Sequence, residues 1–212
     1  MTTLYFLHGW GYDASFWTPL RSHLSGFRHI CEDAGYFGSE TQPALPETPF
    51  WAVGHSAGAC SLLALDSPHC LGLVSINGFA RFTSAEDFPE GVPERILQRM
   101  IRQLDRQPET VLHQFRQMCG ETDPILPATL NHEALKAGLA TLAAMDHRPL
   151  LPRWAGRLHS LHSPDDPLSP ARNGLGPDIP GITLPGGHLL PLAHPQDCAT
   201  LLTRIIRSSP SA

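Results

Sequence analysis

Short apolar runs along the chain are separated by stretches rich in Gly, Pro and Ser, and they alternate with segments of helical spacing. Thr3-Leu4-Tyr5-Phe6-Leu7, Arg28 to Cys31, Phe50 to Val53, Cys70 to Gly78, Arg157 to His162 and Gly181 to Leu184 have the length and boundaries of buried strands. Between them, Ser15-Phe16-Trp17 with Leu20 and Leu24, Ala59 to Leu63, and Gln196 to Arg207 place apolar residues on one face of a helix. Strands alternating with helices predict an α/β fold built on a parallel sheet. Ligand sites in such a sheet lie at the carboxyl ends of its strands.

Two stretches break the rhythm. Gln42 to Pro49 is too short for an ordinary crossover helix, so either the helix is lost or an extended linker replaces it, and the fold is a trimmed one. Phe79 to His147 carries three helical patterns, Pro93 to Asp105, Pro108 to Met118 and Asn131 to Met145, with little strand signal. Proline suits the first turn of the first two. The predicted organisation is a core of residues 1–78 and 148–212, with 79–147 inserted as a helical lid over the strand ends. The tail from Ser208 to Ala212 is expected to be disordered, and no internal repeat is visible.

Candidate chemistry sits where strands end. The run Phe50 to Val53 leads into Gly54-His55-Ser56-Ala57-Gly58 and then into small residues opening a helix. The glycines let the backbone turn sharply enough to leave the Ser56 hydroxyl exposed at the tip and the next amide free to donate. The first strand ends at His8-Gly9-Trp10-Gly11, whose amides would point where an oxyanion needs them. After the fifth strand, Ser163-Pro164-Asp165-Asp166-Pro167 offers a carboxylate in a tight turn. After the sixth, Pro185-Gly186-Gly187-His188 offers a histidine in a loop. Ser56, Asp166 and His188, in that order, assign a nucleophile, an orienting acid and a general base. Asp165 competes for the acid role and His194 for the base. The amides of Ala57 and Trp10 are the expected oxyanion donors.

Composition narrows the choice. The chain has 212 residues, 42% hydrophobic and 17% charged, as expected of one domain with a substantial core. A net charge of −5 argues against nucleic acid as main partner. No apolar run approaches a membrane span of about 20 residues, and no signal peptide is evident, so a cytoplasmic location is expected. Five cysteines without CxxC spacing read as buried or incidental thiols. The twelve histidines form no metal-ligand pattern, and neither a metal nor a cofactor is expected.

The inserted segment has its own pattern. Arg95, Arg99, Arg102 and Arg106 recur on one helical face, with Ile96, Leu97, Met100, Ile101 and Leu104 on the other. This is either a solvated face or a basic dock for an acidic partner, which Arg116 and Lys136, the one lysine, would extend. Trp10, Phe79, Phe82 and Met118 are candidates to line an acyl channel, or are ordinary core.

These motifs resemble the α/β-hydrolases, and within them the pimeloyl-acyl-carrier-protein methyl ester esterases of biotin synthesis. The resemblance lies in His8-Gly9-Trp10-Gly11 with Phe16-Trp17, in Asp33 to Gly38, in Asn77-Gly78 with Phe82 and Phe88-Pro89, and in Phe115 with Met118-Cys119-Gly120. It continues through Leu139, Leu142, Asp146, Arg148 and Leu150, and through His188 with trailing Pro195. It favours Asp166 over Asp165, because the family proline follows four residues later, here Pro170. It departs at position 55, where His stands in place of the usual Trp, and in the missing leading strands and the missing helix before the elbow. The resemblance implies a serine esterase that removes the methyl group from a pimeloyl thioester on acyl-carrier protein, with lid arginines receiving the acidic carrier, and a monomer. A broad carboxylesterase or thioesterase on free acyl esters, a lyase of menaquinone synthesis and a hydrolase-fold binding protein are the rival readings.

Overall fold

In the computed structural model, which describes residues 1–38, 41–176 and 178–209, six strands form one sheet with every pairing parallel. In chain order they are β1 (Thr3–Leu7), β2 (Arg28–Glu32), β3 (Phe50–His55), β4 (Cys70–Ile76), β5 (Leu158–His162) and β6 (Gly181–Thr183). Their spatial order is β2-β1-β3-β4-β5-β6. The sheet turns back at β1 and β3, where a site at the strand ends is expected.

The two-residue alternation of each strand sorts its side chains between two cores. Leu4 and Phe6 of β1, Trp51 and Val53 of β3 and Val74 and Ile76 of β4 point to one face. There they meet Phe16, Trp17 and Leu20 and the apolar stripe Cys198, Leu202, Ile205 and Ile206 of the last helix. Tyr5, Phe50, Ala52 and Leu73 point to the other, against Leu62, Leu63 and Trp154. Because both faces are covered, the central strands read as apolar runs without a polar side.

Among the described residues seven α-helices accompany the strands: α1 (Thr18–Ser22), α2 (Ala57–Leu62), α3 (Glu94–Leu104), α4 (Pro108–Cys119), α5 (His132–Ala144), α6 (Leu190–Ala193) and α7 (Pro195–Ser208). The helix expected from Ser15 to Leu24 is broken instead. A 3-10 turn, Ala14–Trp17, capped by the Asp13 carboxylate on the Ser15 amide, gives way to α1, where Pro19 occupies the first turn. A second 3-10 segment, Arg148–Trp154, follows from Pro149 and Pro152, neither of which can donate to a helix ladder. No helix separates β2 from β3 among the described residues, and 42–49 runs as a linker tied in by the Asp33–Thr41 bridge. Ser208 belongs to α7, contrary to the expected disorder, while 210–212 lie outside the described residues.

Helices α3, α4 and α5 all fall between β4 and β5 and pack on the loops that leave the strands. Leu104, Leu112, Leu135 and Leu139 close over Trp10 and Tyr36, from the loops after β1 and β2. Leu97 and Leu142 meet Phe79, Phe82 and Leu168. Side chains of α3, α4 and α5 therefore pack against the loops at the strand ends.

Candidate active site

Strand β3 delivers Ser56 to the centre of the sheet. Its φ of 53° and ψ of −123° are strained for a side-chain-bearing residue, and its amide donates to the Ile76 carbonyl at 3.1 Å. The turn is possible because two neighbours lack a Cβ. One on Gly54 would stand 2.4 Å from the Ala59 backbone, and one on Gly58 would stand 2.3 Å from the Leu7 carbonyl oxygen. The result is a side chain raised above the strand ends, with the Ala57 amide opening α2 where the helix itself supplies no acceptor.

The loops after β5 and β6 bring the other two groups. His188 Nε2 lies 2.9 Å from Ser56 Oγ, and His188 Nδ1 lies 2.7 Å from Asp166 Oδ2. All three side chains are buried, Asp166 completely. Asp166 Oδ1 accepts the Leu168 amide at 2.8 Å, and Oδ2 also accepts Asn77 Nδ2 at 2.9 Å. With a carboxylate on one side, the histidine carries its proton on Nδ1 and presents Nε2 as acceptor to the serine hydroxyl. Asp165 is exposed, and its amide donates to Ser163 Oγ. His194 lies at the start of α7, 3.8 Å from Asp197. Neither reaches Ser56.

Three groups to which the motifs assign no role hold the histidine loop. His55 Nε2 donates to the His188 carbonyl at 2.8 Å, Asn77 Nδ2 donates to the Gly187 carbonyl at 3.1 Å, and the Gly187 amide donates to Ser163 Oγ at 3.2 Å. His55 is completely buried, its ring stacked on Phe16 at 4.5 Å. Burial drives its pKa well below the ordinary 6.5, and the neighbouring His188 adds to the effect, so the ring is neutral. A histidine ending a strand just before the nucleophile was the available signal for this role. Asn at the end of β4 was another, since Asn is among the few residues that accept a left-handed backbone.

Beside Trp10, an apolar cavity of about 280 Å³ opens between the insertion and the strand ends. Phe82, Met100, Phe115, Met118 and Leu168 contribute to its wall. Trp10 is fastened at this mouth by its indole, which donates to the Leu135 carbonyl at 2.9 Å. Phe79 does not reach the cavity. It packs behind Phe82, ring centres 5.0 Å apart, because the β4 exit turns it into the core.

The basic stripe divides. Arg95, Arg99 and Arg102 on α3 and Arg106 just past its end are exposed, and the last three line a groove of about 610 Å³ that Gln103, Asp105 and Gln107 complete. Lys136 is committed to Asp105 at 2.7 Å. Arg116 does not belong to this surface: it is buried, Nε donating to the Gly11 carbonyl at 3.0 Å and Nη1 to the Ile125 carbonyl at 3.2 Å. Its guanidinium lies over the Tyr12 ring at 4.7 Å, so it clamps the loop after β1 to α4 and has no free face for a partner.

All five cysteines are free, and burial pushes the thiols of Cys60 and Cys198 up to about 12, away from reactivity. Among the described residues no cluster of His, Cys, Asp and Glu could hold a metal ion, and no helix is long and apolar enough to cross a membrane.

A parallel sheet whose β3 ends in a strained serine, with an acid and a histidine following in that order from later strand ends, defines the α/β-hydrolase class, and the chain has that fold. No protein-family model matches it. Among curated proteins it is 29% identical to the pimeloyl-[acyl-carrier protein] methyl ester esterase of Aromatoleum aromaticum, over 96% of this chain and 98% of that protein. It is 26% identical to the biotin biosynthesis bifunctional protein BioHC of Cellvibrio japonicus, over 79% of this chain but 39% of that longer protein. Among solved structures, the esterase of Exiguobacterium antarcticum superposes with a TM-score of 0.83 at 17% identity, over 98% of this chain and 92% of its own, a likeness of fold.

Proposed function

We propose that the chain is a serine carboxylesterase and that it hydrolyses the methyl ester of a pimeloyl group carried on acyl-carrier protein. The observation that carries the esterase reading is the unbroken hydrogen-bond line from Ser56 Oγ through His188 to Asp166. Along it, Nε2 of His188 takes the hydroxyl proton as Oγ attacks the ester carbonyl, and returns it to the departing methanol oxygen. His188 then deprotonates the water that cleaves the acyl-enzyme, releasing the carboxylic acid and restoring Ser56. Asp166 keeps the imidazole in the required tautomer and steadies its cationic form. The amides of Ala57 and Trp10 are assigned to the oxyanion, each worth about 3 kcal/mol in the transition state.

The carrier-linked substrate rests on the likeness to the named esterase and on four exposed arginines, Arg95, Arg99 and Arg102 of α3 and Arg106 just past its end. Guanidinium groups in a row suit the carboxylates of an acidic protein. The cavity beside Trp10 is assigned to the acyl chain and α3–α5 to the lid above it. No metal or cofactor enters this mechanism.

A second reading, a broad esterase or thioesterase on free acyl esters, is favoured by the small, largely apolar wall of that cavity around Phe82, Met100 and Leu168. Two variants separate the possibilities. Ser56→Ala should abolish hydrolysis of short p-nitrophenyl esters, and full activity would sink the mechanism. Arg99→Glu with Arg102→Glu should weaken turnover of pimeloyl-carrier methyl ester while sparing free esters. Good turnover of free esters with no response to the carrier would leave the broad esterase.

A further inference from the structure

Asn77 follows the last residue of β4 with φ 49°. Among the described residues it shares a positive φ outside glycine only with Ser56. Strain of this kind persists where surroundings over-determine it, and it gathers at working sites. Asn77 is completely buried, and its amide group is oriented by its neighbours. Nδ2 meets two acceptors, Asp166 Oδ2 at 2.9 Å and the Gly187 carbonyl at 3.1 Å. The flipped amide would turn its oxygen against both. In the orientation that results, Oδ1 has no partner at all. A residue that accepts both a strained backbone and an unsatisfied buried oxygen is held there by what its two donated bonds achieve.

We propose that Asn77 is a positioning residue of the triad, one amide group bridging the acid Asp166 and the backbone that carries the base His188. The proposal rests on the catalytic reading of Ser56, His188 and Asp166 given above. Asp166 Oδ2 is the oxygen that also faces His188 Nδ1. Asn77 therefore restrains the carboxylate from turning away and draws off part of the charge that His188 feels. The second bond pins residue 187, so the loop cannot carry His188 out of register with its acid. Apart from Asp166 and the Ser56 hydroxyl, the groups around His188 are neutral. The ring of His55 is kept so by burial, and so is the thiol of Cys119, which lies near Asp166, while His8 lies beyond His55. Asp166 is thus the charged group that faces His188, and Asn77 donates to the same oxygen.

A residue that merely ended the strand would be replaceable by glycine, which adopts the same φ without strain. Asn77→Gly removes the amide and leaves the turn. The experiment measures kcat and KM for p-nitrophenyl acetate as a function of pH in the wild type, Asn77→Gly, Asn77→Ala and Ser56→Ala, with thermal unfolding of each. For Asn77→Gly we expect kcat to fall about tenfold to a hundredfold, the loss of a hydrogen bond to a charged group, with KM within about twofold. The acid limb of kcat/KM should move to higher pH by about half a unit, because an undamped carboxylate favours the imidazolium. Asn77→Ala also removes the amide and puts no donor in its place, so its limb should move the same way. That second variant decides the matter if the glycine variant does not fold. A wild-type kcat and acid limb in Asn77→Gly would overturn the proposal, as would a fall in kcat with the limb unmoved. Esterase activity surviving in Ser56→Ala would instead overturn the triad reading beneath it.

Discussion

The ring of His55 sits 4.9 Å from the ring of His188 and donates from Nε2 to that residue's own carbonyl oxygen. The residue before the nucleophile thus holds the backbone of the base from a buried position. Burial, reinforced by His188, depresses its pKa well below 6.5 in the folded chain. The unfolded chain binds a proton at this position below about pH 6.5 and the folded chain does not. Stability is therefore full above that pH and falls as pH drops through it, with a slope approaching about 1.4 kcal/mol per pH unit. His29, His159 and His162, also lowered by burial, act in the same direction. Urea unfolding of the wild type and His55→Gln, which retains a donor, should show a stability gap that narrows with acidification. Parallel curves would mean that His55 is not the group responsible.

Arg116 and the arginines of α3 should respond oppositely to substitution. The Arg116 guanidinium is buried against the Gly11 and Ile125 carbonyls and the Tyr12 ring. Arg116→Met should leave those acceptors unpaired and cost about 2–4 kcal/mol of stability, with lower turnover of small esters because the Gly11 loop is freed. Arg95→Ala, on the exposed face, should change the thermal midpoint very little. If both substitutions left the midpoint alike, the clamp would be refuted.

The contrast explains what a reader of the sequence can and cannot see. Strands were legible because two-residue alternation and turn formers are local, as Leu4 and Phe6 against Tyr5 show. The elbow was legible because Gly54 and Gly58 mark close backbone approaches that no other residue allows. Arg116 was misread because helical spacing gives its face on α4 and says nothing of the loop after β1 that packs there. His55 and Asn77 escaped for the same reason: their partners, His188, Gly187 and Asp166, lie about a hundred residues away, and only the folded sheet brings them near. The 3-10 turn at Ala14–Trp17 was hidden in the helical pattern because Pro19 shortens the helix without erasing its apolar spacing.

The stem of the insertion is fastened by charge. Arg81, on the way in, and Arg148, on the way out, both grip Asp146, at 2.6 and 2.7 Å, and Arg148 reaches Asp87 at 2.9 Å. Arg148 first, then Arg81, hold the Asp146 carboxyl far below the usual carboxylate range. The contribution is present above about pH 3.8 and is lost as pH falls below it. Solvent screening limits it to about 1 kcal/mol. Asp146→Ala should speed proteolytic cutting within 79–147 and leave the global thermal midpoint within a few degrees. An unchanged cutting rate would show that apolar packing alone secures the stem.

Met100 projects from α3 into the apolar cavity that Trp10, Phe82 and Leu168 also line. A cavity of about 280 Å³ is near the lower limit for small-ligand sites, so added side-chain volume should be felt by the ligand. Each methylene of an acyl chain buried there is worth about 0.8 kcal/mol. Met100→Trp should exclude the last two methylenes of a longer chain, lowering kcat/KM for p-nitrophenyl octanoate by about tenfold while leaving p-nitrophenyl acetate within about twofold. The ratio between the two esters is the quantity to measure, since it cancels any loss of folded enzyme. An unchanged ratio would place the acyl chain outside this cavity and would return the choice of substrate to the groove beside Arg99 and Arg102.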